Sequence, residues 1–311
     1  MHLITIGHDL AKTLVIASTP MPAETAQIAR RPLPSADIVF GNTEGMREVR
    51  EEIERASNDD YPVLIEGESG TGKEVIGRFL HAGSKRRSGP FLRLNCVASS
   101  PSLLRGEMFG YEGRGATNVR PRTGSPIGLA SGGTFFVDEI GDMDCDLLQA
   151  LIVALESGTY RNLNGNEDLT VDSRLVCASS VDLGARMMNR ACGEELKGLL
   201  RHHRVHLLPL RERKEDIPQL CEYLLGRFAH DFNKPIPRLS SNALEAFQRW
   251  KWPGNIRELE NWIARIVIFG TDEAIGLDFK SKLAVSGAEP SRRHRVIRMR
   301  VERARRLRRN R

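Results

Sequence analysis

Short apolar runs alternate with amphipathic segments along the first two thirds of the chain. Val63-Leu64-Ile65 is a buried-strand signal, followed after a glycine-dense loop by helical spacing over residues 75–80. Phe91-Leu92-Arg93-Leu94-Asn95-Cys96 reads as a second short strand, and Thr134-Phe135-Phe136-Val137-Asp138-Glu139 as a third that ends in two acids. Helical spacing runs through Met46, Val49 and Ile53 within residues 45–56, and through apolar positions 147, 148, 151, 152 and 155. Leu169-Thr170-Val171 and Arg174-Leu175-Val176-Cys177-Ala178 are further strand candidates. Strands alternating with helices over about 140 residues predict a parallel α/β sheet. Residues 106–133 carry no period, and a loop that long is usually functional or disordered.

After Pro209 the spacing is helical throughout. Residues 216–232 place Ile217, Leu220, Leu224 and Phe228 on one face. Asn242, three residues before Glu245, is predicted to cap a short helix, and Pro253-Gly254-Asn255 followed by Glu258 to start the last one by the same device. In that helix Leu259, Trp262, Ile263, Ile266 and Val267 form the buried stripe, and Gly270 ends it. The expected domains are a short N-terminal segment or linker at 1–37, an α/β domain at 38–211, a small α-helical domain at 212–275, and a linker with an arginine-rich tail at 276–311. No separate sensory domain fits in the first 37 residues.

Composition changes this picture at one place. An apolar fraction of 40% and a charged fraction of 28% are ordinary for a soluble globular chain. No apolar run approaches a membrane span of about 20 residues, and the N-terminus lacks the basic start of a signal peptide. Five scattered cysteines without a C-x-x-C pair argue for free thiols, a reducing cytoplasm and no zinc site. The net charge of +6, however, is unevenly spread: residues 292–311 hold eleven arginines and one acid, which leaves the rest of the chain at about −4. That tail can engage phosphates in a salt-sensitive, sequence-indifferent way; a disordered terminus with no selected role is the rival reading.

Candidate chemistry begins at Gly67-Glu68-Ser69-Gly70-Thr71-Gly72-Lys73-Glu74. Strand, glycine loop, lysine, helix is the order a phosphate-binding loop requires. The glycines let backbone N–H groups turn towards a polyphosphate, the helix N-terminus adds partial positive charge, and Lys73 reaches the β- and γ-phosphates. Glu74 departs from the general pattern, which has a Ser or Thr there for Mg²⁺. Asp138-Glu139 narrows the reading, because in a parallel sheet that strand end lies beside the loop. One acid there can hold Mg²⁺ while its neighbour polarises an attacking water.

With both motifs and the helical segment in hand, the chain resembles the AAA+ domain of bacterial sigma-54-dependent transcriptional activators, from about residue 38 to 269. The segments that carry the resemblance are the glycine loop, Gly89-Pro90-Phe91 with Asn95-Cys96, Glu107-Met108-Phe109-Gly110, and the stretch from Gly132 through Asp138-Glu139 to Asp144. Residues 210–217 and 252–261 complete the set. The resemblance implies a P-loop AAA+ parallel-sheet domain with an α-helical lid, binding ATP and Mg²⁺. It accounts for Glu74, which the family usually carries at that place. Residues 67–74, Ala130, Ser131, Gly132, Gly133, Asp138, Glu139, Ser179, Ser180 and Arg257 are implied to bind nucleotide. Lys73, Asp138, Glu139, Asn95 and Arg257 are implied to be catalytic: Asp138 as metal ligand, Glu139 as water activator, Asn95 as the polar partner restraining Glu139, and Arg257 as the second sensor arginine. Ser179-Ser180 stand at the first sensor, where the family usually has Thr-Asn. Glu112 and Thr117 are implied to contact sigma-54.

Three departures bear on function. The family's Gly-Ala-Phe-Thr-Gly-Ala loop aligns with Arg114-Gly115-Ala116-Thr117-Asn118-Val119, so its aromatic anchor is Ala116 here. The positions from which the family sends arginines to the neighbouring subunit's ATP fall on Gly193 and Leu199, with Arg201 a substitute if two residues are deleted. No helix-turn-helix pattern follows residue 280. The implied function is an ATPase of cytoplasmic, oligomeric rings that remodels sigma-54 RNA polymerase at promoters, with DNA a further partner through the tail. The alternatives are a catalytically weak nucleotide-binding partner or inhibitor of an intact activator, and an AAA+ remodeller of another target.

Overall fold

The structure is a computed structural model that describes residues 32–97, 100–110, 125–187 and 190–272. The chain divides into two compact units between Leu208 and Pro209. The first is built on a five-stranded sheet of order β2-β3-β6-β1-β7, with β1 Val63–Glu66, β2 Phe91–Asn95, β3 Thr134–Asp138, β6 Arg174–Ser179 and β7 His203–His206. Every pairing in it is parallel. The α-helices of this unit are α1 Ala36–Phe40 and α2 Glu44–Ala56 before β1, then α3 Lys73–Gly83, α4 Pro101–Phe109, α5 Pro126–Leu129, α6 Cys145–Ser157, α7 Leu183–Met187 and α8 Gly193–Leu199.

Alternation along the strands explains why both faces are covered. Phe135 and Val137 point into one core with Leu104 and Met108 of α4, Leu147 and Leu151 of α6 and Leu196 of α8. Phe136, Val63 and Ile65 point into the other, against Met46, Val49 and Ile53 of α2 and Ile76 and Leu80 of α3. Because the strands are parallel, their C-terminal residues line up: Asn95 pairs with Asp138, Asp138 with Ala178, and Glu66 with both Ser179 and His206. Whatever follows those residues shares one edge of the sheet, the usual ligand position in open α/β sheets.

Two strand readings change. Leu169–Thr170 forms β5, which pairs antiparallel with β4 Thr159–Tyr160 in a separate two-stranded ribbon and takes no part in the main sheet. β7 carries no apolar run: its sequence is His-Arg-Val-His, and only Val205 is fully buried. It is an edge strand held largely by charge. His203 bonds Glu52 Oε1 and Asp59 Oδ2, both at 2.9 Å, and Arg204 pairs with Glu66. Nearby, the buried Arg174 guanidinium donates to the carbonyls of Ala56 at 2.6 Å and Tyr61 at 3.1 Å, pinning the turn into β1.

The His203 cluster makes stability depend on pH. Burial alone would lower the His203 pKa, but the hydrogen bonds it donates to Glu52 and Asp59, with the negative charge of those two acids, outweigh it, and the net displacement is upward. A raised folded-state pKa gives stability that is complete below the unfolded value of about 6.5 and is lost as pH rises through the folded value. Urea midpoints should therefore fall from pH 6 to pH 8, and His203→Gln should flatten that slope. An unchanged slope in the variant would show that His203 is not its source.

The free-thiol expectation is corrected for two of the five cysteines: Cys145 and Cys192 form a disulfide, with Cα atoms 5.4 Å apart. They lie at the starts of α6 and α8, which pack on the same core, so two residues far apart in sequence meet without a C-x-x-C spacing. Cys96, Cys177 and Cys221 are free and buried, and burial pushes the Cys96 and Cys221 thiols up to about 12.

The second unit comprises α9 Ile217–Asp231, α10 Ser241–Arg249 and α11 Asn255–Phe269. Both expected asparagine caps are replaced. Ser240, not Asn242, caps α10 by accepting from Ala243 N–H at 3.2 Å. Asn255 is fully buried inside the start of α11 and accepts from Leu210 N–H at 2.9 Å, so it ties the helix to the segment before α9. Glu258 still reaches back to the helix start, accepting from Gly254 N–H at 3.0 Å, but from one residue further along than a capping box places its acid.

Candidate active site

The glycine loop closes on itself through its own lysine. Gly70 and Gly72 adopt φ of 81° and 98°, left-handed values that a side chain would oppose. These turns bring the Gly67 carbonyl within 2.8 Å of Lys73 Nζ, and the Glu68 carbonyl within 3.4 Å. Thr71 Oγ1 donates to Glu68 O at 2.8 Å and fixes the loop crown. Lys73 is the first residue of α3 and only 6% exposed. A buried ammonium at a helix N-terminus, ringed by backbone carbonyls that oxyanions can replace, is chemistry suited to phosphate.

The two acids after β3 are held apart. Asp138 Oδ2 accepts from Arg93 at 2.6 Å, and the other arm of the same guanidinium meets Glu74 Oε2 at 3.0 Å. Glu139 has φ 56° and ψ 50°, a left-handed backbone that costs a non-glycine residue about 1–3 kcal/mol and tends to occur where function requires it. Its Oε1 lies 3.4 Å from Lys73 Nζ. Its Oε2 accepts from Ser180 N–H at 2.7 Å and from Ser180 Oγ at 2.8 Å. Lys73, Glu74, Asp138, Glu139 and Ser180 thus converge at the C-terminal edge of the sheet.

Not every expected residue joins them. Asn95 was expected to restrain Glu139, but its Oδ1 accepts from Val97 N–H at 3.0 Å. Among the described residues it is Ser180, on the opposite flank of β3, that bonds the Glu139 carboxylate. The reason is positional: β3 lies between β2 and β6, and the Glu139 side chain goes to the β6 side. Ala130, Ser131, Gly132 and Gly133 are also displaced. They lead into the N-terminal end of β3, the opposite end of the sheet from the glycine loop, and do not line this site. Their glycines serve packing instead: a Cβ on Gly133 would lie 2.0 Å from Pro90 O, where Thr134 N–H donates to that same carbonyl at 2.8 Å. Ser179 is fully buried and donates to Val181 O at 2.8 Å, while its carbonyl accepts from Gly67 N–H at 3.2 Å; it braces the loop from below.

Arg257 stands exposed in the first turn of α11, in the second unit. Arg201 follows α8 and bonds the neighbouring His202 at 3.1 Å. It opens onto a cavity of about 230 Å³ that Lys197 and Arg204 also line. Glu112, Thr117 and Ala116 lie outside the described residues, as do the arginine tail and residues 1–31. Sequence reasoning missed Arg93. A signal existed: strand period places Arg93 on the same face of β2 as Asn95, and an arginine inside an otherwise apolar strand demands an acidic partner.

Hard oxygen donors suit a magnesium ion. No group of three or more His, Cys, Asp or Glu among the described residues could hold a metal alone. Mg²⁺, however, is typically bound by one or two carboxylates together with substrate phosphates, and Asp138 beside the loop fits that requirement.

The model of the Sigma-54 interaction domain matches residues 39–206, and that of the AAA+ ATPase lid domain matches residues 211–294. The chain is 36% identical over 254 residues to the Nif-specific regulatory protein of Azotobacter vinelandii, covering 82% of this chain and 48% of that protein. It is 35% identical over 284 residues to the transcriptional regulatory protein ZraR of Klebsiella oxytoca, covering 91% and 62%. The crystal structure of NtrX from Brucella abortus in complex with ATP is 26% identical with a TM-score of 0.69, covering 85% of this chain and 59% of that one. The chain spans about half the length of several curated relatives it matches.

Proposed function

The chain belongs to the sigma-54 interaction domain family, and from that premise we propose that it is an ATPase whose hydrolysis cycle drives remodelling of sigma-54 RNA polymerase at promoters. The single observation that carries the reading is the convergence of Lys73, Glu139 and Ser180 around the turned loop of residues 67–72. Phosphate oxygens of ATP would take over the Lys73 ammonium from the carbonyls of Gly67 and Glu68, and backbone N–H groups of the loop would hold the rest of the polyphosphate. Asp138, the last residue of β3, would hold Mg²⁺, which when bound neutralises charge on the phosphates. Glu139, released from Lys73 by the incoming phosphate, would orient the attacking water and receive its proton. Ser180, bonding Glu139 through both its N–H and its hydroxyl, would keep that carboxylate aimed. Arg201 after α8 is the cation we assign to the γ-phosphate, from a neighbour in a ring. Residues around Thr117 would carry the motion to sigma-54.

A fluorescent ATP analogue tests the premise of this reading. Wild-type protein should bind it in the micromolar range typical of nucleotide enzymes, and Lys73→Ala should lose at least about tenfold in affinity, the cost of one charge-assisted contact. Equal binding by both proteins would contradict the site assignment.

A further inference from the structure

Glu74 stands where a phosphate loop ordinarily places a hydroxyl, and the structure shows what accompanies it. Arg93 reaches from the middle of β2 and divides its fork between Glu74 at the start of α3, at 3.0 Å, and Asp138 at the end of β3, at 2.6 Å. All three side chains are at least three quarters buried. The third nitrogen of that guanidinium, Nε, is buried with no hydrogen-bond partner, and it is the two Nη atoms that meet the acids.

We propose that Arg93 is a resident counter-cation of the Glu74–Asp138 pair and thereby sets how strongly nucleotide binding depends on a divalent cation. The proposal rests on the nucleotide reading above. The physical case is a charge count at one edge of the sheet. Three carboxylates, Glu74, Asp138 and Glu139, face two cations, Lys73 and Arg93, around a loop suited to a polyanion. A carboxylate at the second position of α3 repels phosphate unless a cation offsets it, and in a partly buried site that repulsion is poorly screened. Arg93 supplies the offset from the protein itself, permanently charged and in a fixed geometry. A divalent ion that arrives with nucleotide therefore finds acids already half neutralised, and its help to binding is smaller than the acids alone would give. Reciprocity of linkage makes this measurable: removing the Arg93 charge must enlarge the coupling between nucleotide and divalent ion.

The test uses the full chain and fluorescent ADP, titrated once with excess Mg²⁺ and once with EDTA. The ratio of the two dissociation constants is the readout, and it needs no hydrolysis. In Arg93→Met the ratio should rise by at least about tenfold over wild type, the scale of one unit charge acting at short range in a partly buried site, chiefly through weaker binding in EDTA. Arg93→Lys should stay near the wild-type ratio, and Glu74→Gln should lower it. The Glu74→Gln/Arg93→Met pair should return towards wild type. Should Arg93→Met fail to fold, the fall in Glu74→Gln carries the test alone. An unchanged or smaller ratio in Arg93→Met, or an unchanged one in Glu74→Gln, overturns the proposal while leaving the nucleotide site standing. If wild-type protein binds nucleotide in neither medium, the functional reading fails and this proposal with it.

Discussion

Glu139→Gln is expected to lower ATP turnover by about 10²–10⁴-fold, the range for losing a positioned general base, while nucleotide affinity changes little. The substitution is nearly isosteric. Its amide oxygen can still accept from the Ser180 N–H and hydroxyl that hold Glu139 Oε2 at 2.7 and 2.8 Å, so the side chain keeps its place. What it loses is the capacity to take a proton. Binding should survive because the proposed reading gives the phosphates to Lys73 and the loop amides, not to Glu139. Turnover and affinity measured on the same preparation separate the two effects. Retained turnover would show that the left-handed residue after β3 is not the base, and affinity lost in parallel would place Glu139 in binding rather than chemistry.

Arg201→Ala carries the second large effect. A cation that reaches a transferring phosphoryl group from outside the site is worth about 10³–10⁵ in rate in related enzymes. The family's two positions for such residues are Gly193 and Leu199 here, at either end of α8. Arg201 lies just past that helix, exposed beside a cavity it shares with Lys197 and Arg204. The expected outcome is turnover near background with nucleotide affinity intact. If Arg201 acts across a subunit boundary, mixing Arg201→Ala with Lys73→Ala protein should restore part of the activity, because some boundaries then pair an intact loop with an intact arginine. No recovery, with each variant inactive alone, would place Arg201 on its own subunit's nucleotide or outside the reaction. Full activity in Arg201→Ala would favour a different cation.

The sheet was legible wherever both faces of a strand are apolar. Val63-Leu64-Ile65 and Thr134 to Val137 are buried on both sides, and a buried parallel strand writes a continuous apolar run. β7 was not legible, because His203 and Arg204 on an edge strand answer to the acids Glu52, Asp59 and Glu66 rather than to a core. Glycine loop, lysine and paired acids could be read because their chemistry requires fixed residue types at fixed spacing. The contact of Ser180 with Glu139 could not, since Ser180 lies two residues past Ala178, the β6 partner of Asp138, and only the left-handed backbone at Glu139 turns its side chain to that flank. Ala130 to Gly133 misled for the opposite reason: motif residues adjacent in sequence to β3 sit at its far end. The Cys145–Cys192 bridge depends on α6 and α8 packing together, a long-range contact that no local pattern records.

ATP hydrolysis at this site, completed by a neighbouring subunit, is the step on which the proposed function depends. Turnover per subunit, measured across a wide range of protein concentrations, tests it most directly. Specific activity should climb with concentration towards a plateau as rings assemble, and vanish in Lys73→Ala at every concentration. Activity that stays at background throughout would contradict it and leave a nucleotide-binding partner without turnover of its own; activity independent of concentration would contradict the shared site.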